Sequence, residues 1–398
     1  MTPPADRDDL RDGIRRLCAS FDGPYWRDLD RARAYPTAFV DALARDGWLS
    51  ILIPVADGGA GLGLSDAVVV LREINRSGGN AAAIHAQLYL TSLLLRHASP
   101  ALLDRYLPAI ARGELRLQAF GVTEPTAGSD TLRLQTRAER HADGWRINGQ
   151  KVFTSRAEHS DLLVLAARTA EPANAAPAAA APAAASADRA SDGLSLFLVD
   201  LRAATASGQI EVRPLPTMLN HSTTELFIQE LDVPADSLIG TEGQGFRNLI
   251  DGWNAERVLI AAECLGDGDF FVDRATAYAT ERVVFGRPIG SNQGVQFPIA
   301  QAYAQVRAAE LMTTTAAERF DAGEPCGPEA NMAKLLASQA SWAAANACLD
   351  AYGGYGFAVE YDIERKFRET RLYGTAPVSN NLVLAYLGHR VLGLPRSY

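Results

Sequence analysis

The spacing of apolar residues divides the chain into three stretches. Over residues 8–111, apolar side chains recur three and four positions apart, as in AFVDALARDGWLSIL, and this spacing predicts amphipathic helices. Over residues 117–233, short runs rich in Val, Ile, Phe and Thr alternate with turn residues, which predicts a mostly antiparallel sheet. From Gly245 onward the helical spacing returns, and the pattern of a four-helix bundle covers 247–280, 297–321, 327–351 and 378–393.

An alanine- and proline-rich segment at 170–193 interrupts the predicted sheet. Polyalanine favours helix, but prolines at positions 172, 177 and 182 break it at every fifth residue. We therefore expect a long surface loop between two strands. The changes in pattern predict three domains: an α-helical domain at 1–115, a β domain at 116–235 that contains this loop, and a helical bundle at 236–398.

Composition excludes several classes of protein. The chain has 398 residues and a formal net charge of −9, and an acidic chain without a Lys/Arg cluster is a poor ligand for nucleic acid or anionic membrane. No apolar stretch reaches the length of a membrane span, and the first residues lack the apolar core of a secretory signal. The six histidines form no metal-binding pattern, and the cysteines are scattered, so we expect no metal site and a cytoplasmic location.

The first segment with candidate chemistry is FGVTEPTAGSD at 120–130. It leaves a predicted strand and turns through small residues, which allow backbone N–H groups to approach a ligand. Thr123 and Ser129 add hydroxyl donors. An ordinary polar turn explains this segment equally well.

The second segment is GWRINGQKVFTS at 144–155. Asn148 and Gly149 form a dipeptide typical of a β-hairpin turn. The strand that follows alternates, so Phe153 and Ser155 are expected on one face, where an aromatic ring beside a hydroxyl suits a flat heteroaromatic ligand. An ordinary half-buried strand would show the same pattern.

Two later segments complete the set. In ERVVFGRPIGSNQGVQF, Arg282, Phe285 and Gln293 lie at a predicted helix end, a loop and the next helix start, and the planar guanidinium of arginine pairs well with a pyrophosphate. In DAYGGYGF, Gly353 and Gly354 are expected to open a helix interior so that a cofactor can come close.

These four segments, in this order and spacing, resemble the acyl-CoA dehydrogenases, and the resemblance extends over nearly the whole chain. It implies an α+β architecture with an N-terminal α-helical domain, a middle β-barrel and a C-terminal four-helix bundle. It also implies a homotetramer that binds FAD between subunits, an acyl-CoA substrate and an electron-transfer flavoprotein as acceptor.

The resemblance also implies the cofactor residues, with the Ser155 hydroxyl facing flavin N5 and Asp350 standing where the family usually has Gln. Ser129 is implied on the substrate side as well. The implied FAD contacts are Phe120, Val122, Thr123, Gly128, Ser129, Phe153, Thr154, Ser155, Arg282, Phe285, Gln293, Asp350, Gly353, Gly354, Ser379 and Asn381.

The catalytic base is expected on an earlier helix than in many family members. Those members keep a Glu near the C terminus, where this chain has Pro377 in an ungapped alignment, and no Asp or Glu follows Glu369. A second branch of the family, which includes isovaleryl-CoA dehydrogenase, carries its Glu before an Arg, as in WNAERVLIAAECLG. The resemblance therefore implies Glu256 as the base, with Asn254 and Arg257 lining the acyl-CoA site.

Residue patterns alone leave alternatives open. Glu256 could be a solvated residue near a helix start, where negative charge is favoured, and Glu263 is its nearest rival. Pro377 removes a backbone N–H that the family uses to hold the thioester carbonyl. Three hypotheses follow: an acyl-CoA dehydrogenase, an oxidase or monooxygenase of the same fold that uses oxygen, and an FAD-binding relative with little dehydrogenase activity.

Overall fold

The computed structural model describes residues 7–170 and 193–396. Its first part is helical, as the apolar spacing predicts. Residues 82–94 are buried on every side of helix α5, which accounts for the nearly continuous apolar character of that stretch. The N-terminal helices are α1 (Arg7–Cys18), α2 (Gly23–Ala32), α3 (Thr37–Arg45), α4 (Leu64–Arg76), α5 (Ala82–His97) and α6 (Pro100–Ala111).

An eight-stranded sheet follows, in the order β6-β7-β3-β2-β4-β5-β8, with β1 beside β4. It is mixed rather than purely antiparallel, because β1 and the end of β2 pair with β4 in the parallel direction. The strands are β1 (Leu117–Gly121), β2 (Arg137–His141), β3 (Gly144–Ser155), β4 (Leu162–Arg168), β5 (Leu194–Asp200), β6 (Ile210–Pro214), β7 (Thr223–Pro234) and β8 (Leu238–Ile239), and a short helix α7 (Leu201–Ala206) follows β5.

The predicted Asn148-Gly149 hairpin is wrong. Both residues lie inside β3, and the hairpin turn falls at residues 142–143, where Ala142 has a φ of 47°. Gly149 serves close packing instead, since a Cβ there would lie 2.4 Å from the hydroxyl of Thr136. The register between β3 and β7 also shifts beside it, so this glycine marks a bulge.

The C-terminal part is built around three long helices, α8 (Gly245–Glu281), α9 (Gln293–Asp321) and α10 (Gly327–Tyr352). Two-residue strands β9 (Val283–Val284) and β10 (Arg287–Pro288) join α8 to α9. The fourth helix predicted at 378–393 is shorter than expected, because α12 (Asn380–Tyr386) continues as a π-turn. A separate helix, α11 (Ile363–Arg371), precedes it.

The glycines after α10 end that helix instead of opening its interior. Gly353 adopts φ 58° and ψ −133°, a conformation that favours glycine, and it donates its N–H back to the carbonyls of Asp350 and Leu349. The predicted helix-interior position of Gly353 and Gly354 is therefore wrong, although the chain there stays open enough for a ligand.

The main hydrophobic core joins the N-terminal helices to α8, α9, α10 and one face of β4, and a second core lies on the other face of that strand. The alanine- and proline-rich loop predicted at 170–193 lies almost wholly outside the described residues. Its ends are held together, since Thr169 donates its backbone N–H to Gly193 over 2.8 Å. Within the described ranges, no helix is long and apolar enough to cross a membrane.

Candidate active site

Glu256 lies on α8, in a stretch that packs against α5, and its residue surface is only 6 % exposed. Its carboxylate makes no hydrogen bond to any residue that the structure describes. Burial raises the pKa of Glu256 to about 7, although the charges of His85, Arg257 and Arg156 oppose the shift. A carboxylate held in this way ionises near neutral pH, as a general base should.

Glu263 lies two turns further along α8 in a different environment. Tyr373 donates its hydroxyl to Glu263 Oε2 over 2.7 Å, and His85 Nδ1 lies 3.0 Å from Oε1. Asn75 also donates to the backbone carbonyl of Glu263. Glu263 therefore has a hydrogen-bond partner on one carboxylate oxygen and an imidazole beside the other, whereas no described residue hydrogen-bonds the carboxylate of Glu256.

The predicted substrate residues on α8 lie directly beside Glu256. Arg257 is buried, points one guanidinium nitrogen toward the Asn254 side chain at 3.4 Å, and lies 5.9 Å from the centre of the Trp253 ring. Burial lowers the pKa of Arg257, while Glu256 opposes that shift. Ser129, the other predicted substrate contact, is exposed in the loop after β1.

A buried ion pair joins the first two predicted cofactor segments. Lys151 Nζ donates to Glu124 Oε1 over 2.8 Å, and Thr136 donates its hydroxyl to the same oxygen over 2.6 Å. Lys151 also reaches the carbonyl of Val122, and the Val152 N–H binds the carbonyl of Thr123. Burial lowers the pKa of Lys151 to about 8, although Glu124 opposes that shift. This pair fixes the loop at 121–130 to β3.

The end of β3 exposes an aromatic side chain. Phe153 is 62 % exposed, Ser155 is half-buried, and Thr154 between them is buried with a hydroxyl that finds no partner among the described residues. Phe153 has a φ of 58°, in a bulge that sequence alternation does not predict. Phe120 and Val122 are half-buried next to β3, and a Cβ added at Gly128 would meet almost nothing. An exposed aromatic ring beside an unused buried hydroxyl fits a flat ligand with polar ring atoms.

The other predicted cofactor residues gather near one end of the bundle. A groove of about 600 Å³ is lined by Arg282, Tyr355 and Gly354, among others, and the guanidinium lies 5.8 Å from the centre of the Tyr355 ring. Cβ atoms added at Gly353 and Gly354 would meet nothing within 4 Å. Asp350 is exposed one turn before this glycine pair.

Phe285 and Gln293 belong to the short connection that follows Arg282. Phe285 is 100 % exposed with a φ of 52°, and Gln293 is exposed as the first residue of α9. Neither side chain covers the chain's own core. Both are therefore open to another molecule, as the predicted contact with a neighbouring subunit's cofactor requires.

Models of three acyl-CoA dehydrogenase domains match the chain: the N-terminal domain at 4–114, the middle domain at 119–231 and the C-terminal domain at 243–384. The chain belongs to the acyl-CoA dehydrogenase family. Its predicted family and α+β fold are thereby confirmed, while the assignment of Glu256, the other site residues and the domain boundaries remain predictions.

Relatives match the chain along its whole length. Acyl-CoA dehydrogenase FadE12 of Mycobacterium tuberculosis is 31% identical, over 99% of this chain and 97% of its own. Cyclohex-1-ene-1-carbonyl-CoA dehydrogenase of Syntrophus aciditrophicus is 31% identical, over 96% of this chain and 89% of its own. A glutaryl-coenzyme A dehydrogenase solved with glutaryl-CoA superposes with a TM-score of 0.87 at 28% identity, covering 100% of this chain and 98% of that one.

A lysine side chain holds the segment 377–380, where many acyl-CoA dehydrogenases carry their base. Buried Lys334 donates to the carbonyl of Val378 over 2.7 Å and to the side chain of Asn380 over 2.8 Å. Burial lowers the pKa of Lys334 to about 8. Ser379 caps α12, and half-buried Pro377 lies just before these contacts. Asn381, a predicted cofactor contact, is exposed.

Sequence reasoning missed several polar residues of the buried cluster that contains Glu256 and Glu263. They come from α5, the turn after β3, the segment before β7, α10 and the segment after α11, so no single motif contains them. The one available signal was the presence of isolated polar residues in an otherwise apolar helix, at positions 85 and 87. The missed residues are His85, Tyr89, Arg156, His221, Lys334 and Tyr373.

Proposed function

We propose that this protein is an FAD-dependent dehydrogenase that introduces a double bond between the α- and β-carbons of an acyl-CoA thioester, with Glu256 as the base. The environment of Glu256 carries the proposal. It is a buried carboxylate without a hydrogen-bond partner among the described residues, and burial raises its pKa to about 7.

The described residues fit FAD at two places. Thr154 has a buried, unpaired hydroxyl next to exposed Phe153, and Arg282 lines a groove in which Gly354 leaves room for a ligand backbone or phosphate. Bound there, the flavin would accept the hydride equivalent that leaves the β-carbon. Arg282 would offset diphosphate charge with its planar guanidinium.

In this proposal the residues of the chain bind and orient the thioester and remove a proton from it. Glu256 would take the proton from the α-carbon, and its pKa near 7 keeps a useful fraction ionised at neutral pH. Arg257 and Arg156 supply positive charge that favours the ionised form. Burial of Glu256 in the core excludes water that would otherwise compete for the proton.

Because Pro377 has no backbone N–H, another donor would have to hold the thioester carbonyl. The Lys334 ammonium holds the carbonyl of Val378, and because C=O and N–H point in opposite directions across a peptide, this contact fixes the direction of the Ser379 N–H. That N–H makes no hydrogen bond to a described residue. We assign it the role that the N–H of residue 377 would have in other family members.

The exposed apolar side chains of α9 and of the connection before it support the expected homotetramer. The acidic composition, without a Lys/Arg cluster, supports the expectation that neither nucleic acid nor membrane is a partner. Fully exposed Phe285 and the exposed side chains of Phe297 and Leu311 on α9 would be covered in a homotetramer. We propose an electron-transfer flavoprotein as the acceptor and, from four buried free thiols, a reducing cytoplasm. The loss of the N–H at Pro377 also favours a second candidate, an oxidase or monooxygenase of the same fold.

One experiment tests the function. The purified yellow protein is mixed anaerobically with a panel of acyl-CoA thioesters, and the visible absorbance of the oxidised flavin is followed. Bleaching with slow recovery in air is the expected result. Rapid recovery with stoichiometric peroxide would favour the oxidase, and an unchanged spectrum with every thioester would remove dehydrogenation from consideration.

A further inference from the structure

A small cavity lies between the N-terminal helices and the sheet. It has a volume of about 40 Å³ and is lined by Tyr35, Asn80, Ala83, Arg156 and His221, among others. A water needs roughly 10–15 Å³ of such volume, so there is room for a group of a few heavy atoms. None of the four sequence segments that identify the family contains Asn80, Ala83 or His221.

Arg156 is the charged wall of this cavity. It is 8 % exposed, follows directly after β3, and adopts a φ of 61°. Its Nη1 lies 3.2 Å from His221 Nε2, and its buried Nε has no partner among the described residues. No described carboxylate lies within 4.0 Å of its guanidinium. Burial lowers the pKa of Arg156, and Tyr89, Tyr35, Glu263 and Glu256 oppose that shift only at longer range.

The other titratable groups at the cavity do not pair with this guanidinium. The Tyr35 hydroxyl donates to Gln118 over 2.6 Å, and the Asp30 carboxylate accepts from Arg368 over 2.7 Å. Burial and the neighbouring Arg156 hold the pKa of His221 well below 6.5, so the imidazole is neutral and its Nε2 accepts from Arg156. Glu369 also lines the cavity, but Arg365 donates to its Oε1 over 2.9 Å and Lys366 to its Oε2 over 3.0 Å. A buried guanidinium without a paired anion is costly, and a ligand that brings one would bind well.

The cavity belongs to the same buried cluster as Glu256. Burial raises the pKa of Tyr89, the charge of Glu256 adds to that shift, and the charge of Arg156 opposes it. The Tyr89 ring also lies 5.9 Å from that of Phe120, at the predicted flavin segment. An acyl chain whose α-carbon lies at Glu256 could therefore direct its far end toward Arg156.

We propose that the Arg156 cavity binds a carboxylate at the far end of the acyl chain, so that the preferred substrates are monothioesters of dicarboxylic acids with CoA. This inference rests on the proposed function and names its substrate class. The guanidinium donates from Nε and Nη to the carboxylate in a bidentate pair. Such charge-assisted hydrogen bonds are worth roughly 10- to 150-fold in Kd.

The test uses the FAD-loaded protein and matched pairs of thioesters of four to eight carbons, one ending in a methyl group and the other in a carboxylate. Calorimetry gives Kd for each member, and anaerobic stopped-flow gives the rate of flavin bleaching. At one chain length, the wild-type protein should bind the carboxylate-ended thioester roughly 10- to 150-fold more tightly than its methyl-ended partner. Arg156→Gln should bring the ratio of the two Kd values at each chain length to about 1, and Arg156→Lys should keep part of the preference.

Arg213→Gln is the matched control, because Arg213 pairs with Glu211 on the surface of the sheet and should affect neither thioester. Equal or weaker binding of the carboxylate-ended member at every length would overturn the inference, while bleaching by methyl-ended thioesters would leave the proposed function intact. A preference in Kd without any bleaching would support the anion site and remove the dehydrogenase activity. If Arg156→Gln loses FAD, the wild-type comparison across chain lengths still decides.

Discussion

Replacing Glu256 by Gln should stabilise the protein at alkaline pH while removing its activity. Burial raises the pKa of Glu256 from 4.5 to about 7, so the folded protein holds a proton that the unfolded chain has already released. Ionising such a buried carboxyl group lowers the unfolding free energy. This loss is absent below pH 4.5, grows as pH rises, and is complete above pH 7. The shift corresponds to about 3 kcal/mol of unfolding free energy at about 1.36 kcal/mol per unit.

The assay follows from this linkage. Glu256→Gln has nearly the same shape and carries no charge, so at pH 8 it should exceed the wild type in unfolding free energy by up to about 3 kcal/mol, and at pH 5 by under about 1 kcal/mol. Denaturant unfolding of matched flavin-loaded samples measures the difference. In the wild type, the rate of flavin bleaching by an acyl-CoA should rise with pH through about 7, as the base ionises. In the variant it should fall by roughly 10²–10⁴-fold or more.

Glu263→Gln is the internal control on the same helix. Gln can still accept from the Tyr373 hydroxyl, which now lies 2.7 Å from the carboxylate, so the rate of bleaching should stay near that of the wild type. The reasoning about Glu256 would be refuted by a stability difference that does not change between pH 5 and 8. Bleaching of the Glu256→Gln protein at the wild-type rate would remove this residue from the mechanism.

Three further predictions concern the cofactor segments and the loop. Arg282→Ala should weaken FAD retention on dialysis. Asp350→Asn should strengthen it, because it removes an exposed negative charge near the expected diphosphate. Equal retention by both variants, or extraction of FMN instead of FAD, would contradict the assignment of these residues to the FAD site. Lys151→Met should lower the unfolding free energy by about 3–5 kcal/mol, because it leaves the Glu124 carboxylate buried without a counter-charge. Adding Glu124→Gln should recover much of that loss in urea unfolding. Additive effects in the double variant would show that the two residues are not coupled. Deleting residues 173–187 should leave flavin content and Tm nearly unchanged, since Thr169 and Gly193 already hold the ends of the segment together, and a large fall in either quantity would show that the loop packs on the protein.

The predictions from the sequence succeeded where one periodicity controls one element. The apolar spacing located the long helices, and the continuous run in β4 matches a strand buried between two cores. The predictions failed at glycines, because the same residue can form a turn, allow close packing or end a helix. Gly149 could form a turn, but packing against Thr136 requires the missing Cβ inside a strand, and Gly353 ends a helix through its positive φ. Tertiary contact decides between these uses, and a local pattern does not contain it.

The candidate site was predictable only as far as motifs reach. Glu256 and the four cofactor segments follow from resemblance to the acyl-CoA dehydrogenases. Arg156 directly follows one of these segments, yet its importance depends on His221, which lies 65 residues further along the chain. A lone histidine or arginine carries no signal of its own in the sequence, so the polar cluster became visible only once the fold brought its members together.

The proposed position of the base on α8 has a consequence for the segment around Pro377. A carboxylate in the middle of the helix Gly245–Glu281 is positioned by a backbone that is hydrogen-bonded on both sides. With the base proposed on α8, the C-terminal segment would have to shape the cavity and supply a donor, without carrying a carboxylate. Lys334 is suited to the second task, because its contact with the Val378 carbonyl fixes the direction of the following N–H. Proline at 377 is compatible with this division of roles, since neither the base nor the Ser379 N–H depends on a donor at that position.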